Sequence, residues 1–238
     1  MPQRRDIMRN KLDIIIPILL LLYLSAVVDV NPRYLKEPED KTVIVDKLEQ
    51  KNNISINQLR KEYNNQDIIA YLEIPNVLGE PIVQTNDNEY YLHHDINKKD
   101  NIIGASFLDY RNNLDGDKKL LIYGHSDPEG TLPFVKLTNY NNEEFFRENR
   151  YIYLIDSNRK RKYEVFSTYI ETEDFDYVNL KSFNGLTYGE HLNKLKNKSY
   201  VPSEVELDDN SNVLILQTCS FADIDTNTKY QLVMGKEV

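Results

Sequence analysis

With one cysteine in 238 residues, the chain cannot close a disulfide within itself. It also lacks a surplus of positive charge: 29 Lys and Arg stand against 38 Asp and Glu, a formal net charge of -9. Such a field repels a polyanion, so nucleic acid is not an expected partner. Internal repeats and low-complexity blocks are missing as well. No cluster of His, Cys, Asp or Glu has metal-ligand spacing: His93 and His94 are adjacent and diverge on either a strand or a helix, and His191 is isolated. Asp115-Gly116-Asp117 and the stretch from Asp223 to Asp225 lack the full EF-hand ligand pattern and read as solvated loops. Neither metal nor cofactor is expected. Finally, no arginine follows Arg161.

What is present is an ordinary globular balance, 40% hydrophobic and 28% charged, enough for one catalytic domain. Four basic residues, Arg4, Arg5, Arg9 and Lys11, precede the apolar run from Ile14 to Val28. A membrane span needs ~20 apolar residues, and Leu12 and Val30 extend this run toward that length. The basic flank predicts a cytoplasmic N-terminus at 1–11, a single-pass signal anchor at 12–30, a tether at 31–41 and an extracellular domain at 42–238. A cleaved signal peptide ending near Ser25 and Ala26 is the competing expectation, and it also exports the domain.

Apolar spacing predicts short amphipathic helices over Val43 to Lys51 and Ile56 to Tyr63. Beyond them lie short segments rich in Ile, Val, Tyr and Leu, separated by Asn, Asp, Gly and Pro. Strands are expected over Ile69–Ile74, Pro81–Gln84, Ala105–Leu108, Leu120–Tyr123, Tyr151–Leu154, Tyr163–Ile170, Val213–Thr218 and Tyr230–Met234. Helical insertions are expected over Glu89–Leu92, Glu143–Glu148 and Tyr188–Asn197. The fold class is thus mainly β with peripheral α, a mostly antiparallel barrel with helices over its ends.

Cys219 closes a buried strand and His125 follows another one, with Gly124 allowing a sharp exit between strand and imidazole. Strand ends give a nucleophile and its base a rigid footing beside a groove. An exported lone cysteine is either a small buried side chain or a reactive thiol, and a lone histidine is often structural. These residues alone leave both alternatives open.

Longer stretches narrow them. Asp67-Ile68-Ile69-Ala70-Tyr71-Leu72-Glu73-Ile74-Pro75, Tyr90-Tyr91-Leu92-His93-His94, the block Gly104-Ala105-Ser106-Phe107-Leu108-Asp109-Tyr110-Arg111-Asn112, Tyr123-Gly124-His125 and Leu216-Gln217-Thr218-Cys219 occur in that order. Together they resemble the class B sortases, cysteine transpeptidases of Gram-positive bacteria. The resemblance implies an eight-stranded sortase-type β barrel with N-terminal helices. It implies that Cys219 attacks a C-terminal sorting motif of secreted proteins, forming a thioester that a peptidoglycan precursor amine resolves, with His125 as acid and base.

The family also carries an arginine on its last strand, which holds substrate carbonyls and the oxyanion. Counting from Cys219 assigns that place to Lys229, the preferred candidate, whereas counting back from Gly235-Lys236 assigns it to Tyr230. Tyr123, Thr218, Gln217, Tyr177 and Val178 correspond to substrate-binding positions, with Gln217 in place of a common serine. Two other functions remain open at this stage: a secreted Cys-His hydrolase or protease, and a membrane-tethered module that binds sorting peptides with weakened catalysis.

Overall fold

The alternation of Ile68, Ala70, Leu72 and Ile74 with Ile69, Tyr71 and Glu73 sets one apolar face and one mixed face, and this segment is the first strand of a closed barrel. The structure, a computed structural model, describes residues 54–127, 129–219 and 229–238, and for Cys219 the backbone only. The expected anchor, the tether, the helix over Val43 to Lys51 and the acidic stretch from Asp223 to Asp225 lie outside the described residues. Among the described residues no helix is long and apolar enough to cross a membrane.

The strands are β1 (Ile68–Ile74), β2 (Leu78–Val83), β3 (Phe107–Leu108), β4 (Lys119–Tyr123), β5 (Tyr151–Asp156), β6 (Lys160–Glu171), β7 (Val213–Cys219) and β8 (Tyr230–Glu237). They close in the order β1-β2-β3-β4-β7-β8-β6-β5. Pairing is antiparallel apart from β2 with β3 and β4 with β7, which are parallel. The eight expected strands are all present, and the mostly antiparallel barrel stands with those two exceptions.

Among the described residues three α-helices decorate it: α1 (Ile56–Glu62), α2 (Glu143–Glu148) and α3 (Tyr188–Asn197). Each begins on a side-chain cap. Ser55 accepts from Gln58 N, Asn142 accepts from Phe145 N, and Thr187 forms a capping box with Glu190. A 3-10 helix over Pro133–Asn141, not expected from the sequence, buries Phe134, Leu137 and Tyr140 in the barrel core. Their three-residue spacing is the signal it carried.

The strands β4 and β7 are buried on both faces. Leu120, Ile122, Leu214 and Leu216 enter the barrel core, while Leu121, Val213 and Ile215 pack in an outer cluster with Leu192 and Leu195 of α3. That two-sided burial is why these segments read as unbroken apolar runs rather than alternating ones.

Where β4 begins, Lys119 Nζ donates to Asn179 O at 2.8 Å and to His191 Nε2 at 2.7 Å, and both side chains are buried. Burial pushes Lys119 down to about 7, against the pull of the Asp176 carboxylate and with a further push from Arg111. Burial and then the Lys119 charge push His191 down to about 4, while Asp176 and Asp174 oppose and Lys194 adds to the push. An unfolded histidine takes its proton near 6.5, so this group's stabilising contribution is fully present above that pH and is lost as pH falls toward 4. The urea midpoint is expected to drop between pH 6.5 and 4.5. In His191→Gln, which keeps an acceptor for Lys119, the drop should shrink; an unchanged slope would remove His191 from the account.

Candidate active site

Strand register decides what meets at the barrel end. In the parallel pair, Lys119 faces Val213 and the register runs on to Tyr123 opposite Gln217. The ladder continues one step past β4, with Gly124 N donating to Gln217 O at 3.0 Å. Two residues beyond the last pair stand His125, just past the end of β4, and Cys219, the last residue of β7. On the far side of β7, Cys219 pairs with Tyr230 at the start of β8. The backbone of Cys219 therefore runs between His125 and Tyr230.

A cavity of about 320 Å³ opens here. Tyr123, Gly124, His125, Gln217, Thr218 and Tyr230 line it from the β4, β7 and β8 side, and Asn88, Glu89, Leu92 and Phe107 close the other side. Two glycines fix the imidazole. A Cβ on Gly124 would sit 2.4 Å from the Phe134 ring. Gly104, at φ +65°, would place a Cβ 2.3 Å from Tyr91 O and 3.1 Å from His125 Cδ2, so the ring lies over bare backbone. Gly124→Ala is expected to cost ~1–3 kcal/mol of stability in urea unfolding, because Phe134 is a plug of the core. A midpoint equal to the parent's would refute that contact.

Burial lowers the pKa of His125 from its ordinary value, and the neighbouring His93 lowers it further. Its Nε2 is buried and has no hydrogen-bond partner among the described residues. Such a group is held neutral, with a lone polar atom available to whatever enters the cavity.

Behind Tyr123 stands a carboxylate that sequence reasoning did not single out. Asp109, fully buried, accepts from Tyr123 Oη at 2.8 Å, Asn88 Nδ2 at 3.1 Å, Arg111 Nε at 2.8 Å and Arg111 Nη2 at 2.7 Å. Burial alone would raise its pKa, but the Arg111 guanidinium and these other donors outweigh it and hold the carboxyl below the usual range. Asn112 joins the same support, donating to Lys119 O and accepting from Leu121 N. The block from Gly104 to Asn112 thus braces β4 and the cavity wall, a role its polar residues hinted at only by lying together.

The remaining candidates divide. Tyr123 and Gln217 line the cavity, Tyr123 with its ring centroid 5.0 Å from that of Phe107. Thr218 lines it as well, its Oγ1 buried and without a partner among the described residues. Tyr177 and Val178 are not part of the cavity wall. Tyr177 is buried in the outer cluster, donating to Gln217 Oε1 at 2.7 Å, and Val178 packs on that cluster with its carbonyl 3.3 Å from Arg111 Nη2. Lys229 precedes β8 and is not among the lining residues, whereas Tyr230 is.

His94 stacks on Tyr90 and lies 3.0 Å from Asp100, an arrangement that orders its loop. Among the described residues no group of His, Cys, Asp and Glu is arranged to hold a metal ion. Asp115 pairs with Arg161 at 2.7 Å, and Asp117 accepts from Asn112 and Asn113, so that loop is internally committed.

No family model matches the chain. Sortase B of Listeria monocytogenes is 29% identical over 180 residues, covering 73% of this chain and 71% of the relative. The X-ray structure of Clostridium perfringens sortase B is 30% identical with a TM-score of 0.69, covering 76% of this chain and 99% of that one. A Staphylococcus aureus sortase B-substrate complex is 26% identical with a TM-score of 0.67, covering 84% of this chain and 98% of that one.

Proposed function

The chain belongs to the sortase B family, and on that footing we propose that it is a cysteine transpeptidase with Cys219 as nucleophile and His125 as its acid and base. His125, held neutral, takes the proton of the Cys219 thiol as the sulfur attacks the carbonyl of a threonine-like residue in the sorting motif of a secreted protein, giving a tetrahedral oxyanion. As the amide C–N bond breaks, His125 gives a proton to the departing amine and a thioester remains. An amine of a peptidoglycan precursor then attacks the thioester, His125 takes its proton, and the thiolate leaves. The observation that supports this most is the register, which sets Cys219 between His125 and Tyr230 at one barrel end.

The register also favours Tyr230 over Lys229 for the place of the family arginine. Tyr230 is paired with Cys219 and lines the cavity, and a one-residue step along a strand reverses the face. We assign the substrate-carbonyl contact to its phenol. Tyr123 and Gln217 contact the peptide directly, and Tyr177 and Val178 support that wall from behind.

The test is a sorting-motif peptide incubated with the purified protein, with and without a free peptide amine, followed by mass spectrometry. An amine adduct that outgrows the free acid is expected. Free acid alone would make the protein a hydrolase, and binding without a thioester would make it a peptide-binding module. On the same proposal the apolar run at 14–28 anchors the chain and the barrel faces outward, so protease added to intact cells without their walls should remove the domain.

A further inference from the structure

Residues 172–187 join β6 to α3, and within them Asn184-Gly185 is the one place in the chain where glycine follows asparagine. The backbone asks for that pair. Leu186 N donates to Phe183 O at 3.0 Å across the two residues, and φ is +53° at Asn184 and +85° at Gly185, the two positive values of a type I′ turn. Glycine adopts such a φ at no steric cost, and asparagine tolerates it. The same choice has a chemical consequence. Both residues are exposed, a Cβ on Gly185 would meet nothing within 4 Å, and Gly185 N donates to no group among the described residues. An unshielded backbone nitrogen one residue past a side-chain amide can close a five-membered ring on its Cγ.

That amide also holds the turn in place. Asn184 Nδ2 donates to Asp176 Oδ1 at 3.1 Å. Asp176 is buried and is fixed separately by Asn179 Nδ2 at 3.3 Å and by the Lys194 ammonium. Its neighbour Tyr177 donates to Gln217 of the cavity wall. The pair Asp115-Gly116 supplies a contrast within the same chain. Gly116 N is spent on Asn113 Oδ1 at 3.1 Å, and the Asp115 carboxylate is paired with Arg161 at 2.7 Å.

We propose that Asn184-Gly185 is a self-modifying site that turns a tethered loop, irreversibly, into a released one. Gly185 N gives its proton to hydroxide and attacks Asn184 Cγ. The N–Cγ bond forms, the Cγ–Nδ2 bond breaks, and the nitrogen leaves as ammonia with a proton from water. Water then opens the ring at either carbonyl, leaving an aspartyl or an isoaspartyl residue, so one water is consumed, one ammonia departs and nothing is oxidised or reduced. The donor to Asp176 is gone, and one carboxylate faces another. Because Asn179 and Lys194 keep Asp176 where it is, the turn is the partner that moves, with the Phe183 ring on His191, 4.6 Å between centroids, as its remaining hold. The reaction uses neither Cys219 nor His125 and stands apart from the transpeptidase assignment.

The experiment holds the purified full chain in mildly alkaline water enriched in heavy oxygen and then maps its peptides by mass spectrometry. Residue 184 is expected to lose ammonia and take up heavy oxygen before any other asparagine, and before Asp115 takes up the label. Labelling that begins elsewhere, or an Asn184 that outlasts other asparagines, would overturn the site. Release is read from trypsin cutting after the exposed Lys181, relative to cuts elsewhere in the chain. That ratio should rise on the order of tenfold in the aged protein and in Asn184→Asp, since cleavage follows the population of the open loop. Asn184→Gly, which keeps the turn and removes the donor without adding charge, should fall between Asn184→Asp and the fresh parent. Asn184→Asp cut at the parental ratio, or cut faster at all sites alike, would overturn the release.

Discussion

Cys219→Ala is expected to abolish thioester formation, and His125→Ala to lower acyl transfer by about 10²–10⁴-fold, the range supplied by a positioned acid and base. The two losses should differ in kind. With His125→Ala the sulfur remains, so a thioester that forms slowly should persist and be visible in the intact mass, because its amine attacker has lost the group that accepts its proton. The pH profile carries a second signature. Burial and His93 keep the His125 pKa below its ordinary value, so neutral imidazole survives to lower pH than in a free histidine. Once divided by the fraction of acceptor amine that is unprotonated, the rate of the second half-reaction, which needs the neutral imidazole, should hold until pH falls below 6.5. A profile that bends well above that value, or a His125→Ala enzyme at parental rate, would remove His125 from the mechanism.

Tyr230→Phe is expected to slow transfer by about 10²-fold, the usual loss when one oxyanion donor is deleted. Phenylalanine keeps the ring and its edge contact with Phe175, whose centroid is 6.0 Å away, so the loss isolates the hydroxyl. Lys229→Ala should cost much less. Tyr230→Arg is expected to transfer at least as fast as the parent, since a guanidinium adds charge and grips two acceptors at once. A larger loss from Lys229→Ala than from Tyr230→Phe would return the role to the lysine.

Much of the barrel was legible because its information is local. The alternation in β1 names the buried face, and the caps at Asn142 and Thr187 mark the starts of α2 and α3 at the residues expected. Partnership was not legible, since nothing in Leu120–Tyr123 states that Val213–Thr218 will lie beside it in parallel. Counting from Cys219 prefers Lys229 to Tyr230, and the sequence could not test that preference for a related reason. Their order is plain, but the face each shows depends on how the chain returns from Cys219, and that is set by strand pairing rather than by counting. Tyr177 and Val178 resemble a substrate wall in sequence, yet an aromatic with a hydroxyl suits a packed cluster as well as a groove. Asp109 went unnoticed because a surface loop carboxylate and a buried hub look alike until Tyr123, Asn88 and Arg111 converge on it.

The parallel pairing of β4 with β7 also governs timing. Most of the second half of the chain, including β5, β6 and α3, lies between the two strands, and contacts of such long sequence separation form late in folding. A thiol on a chain whose barrel has not yet closed would have no base beside it. Chemical competence would then arrive together with completed architecture, and a half-formed molecule would be unable to acylate the wrong neighbour.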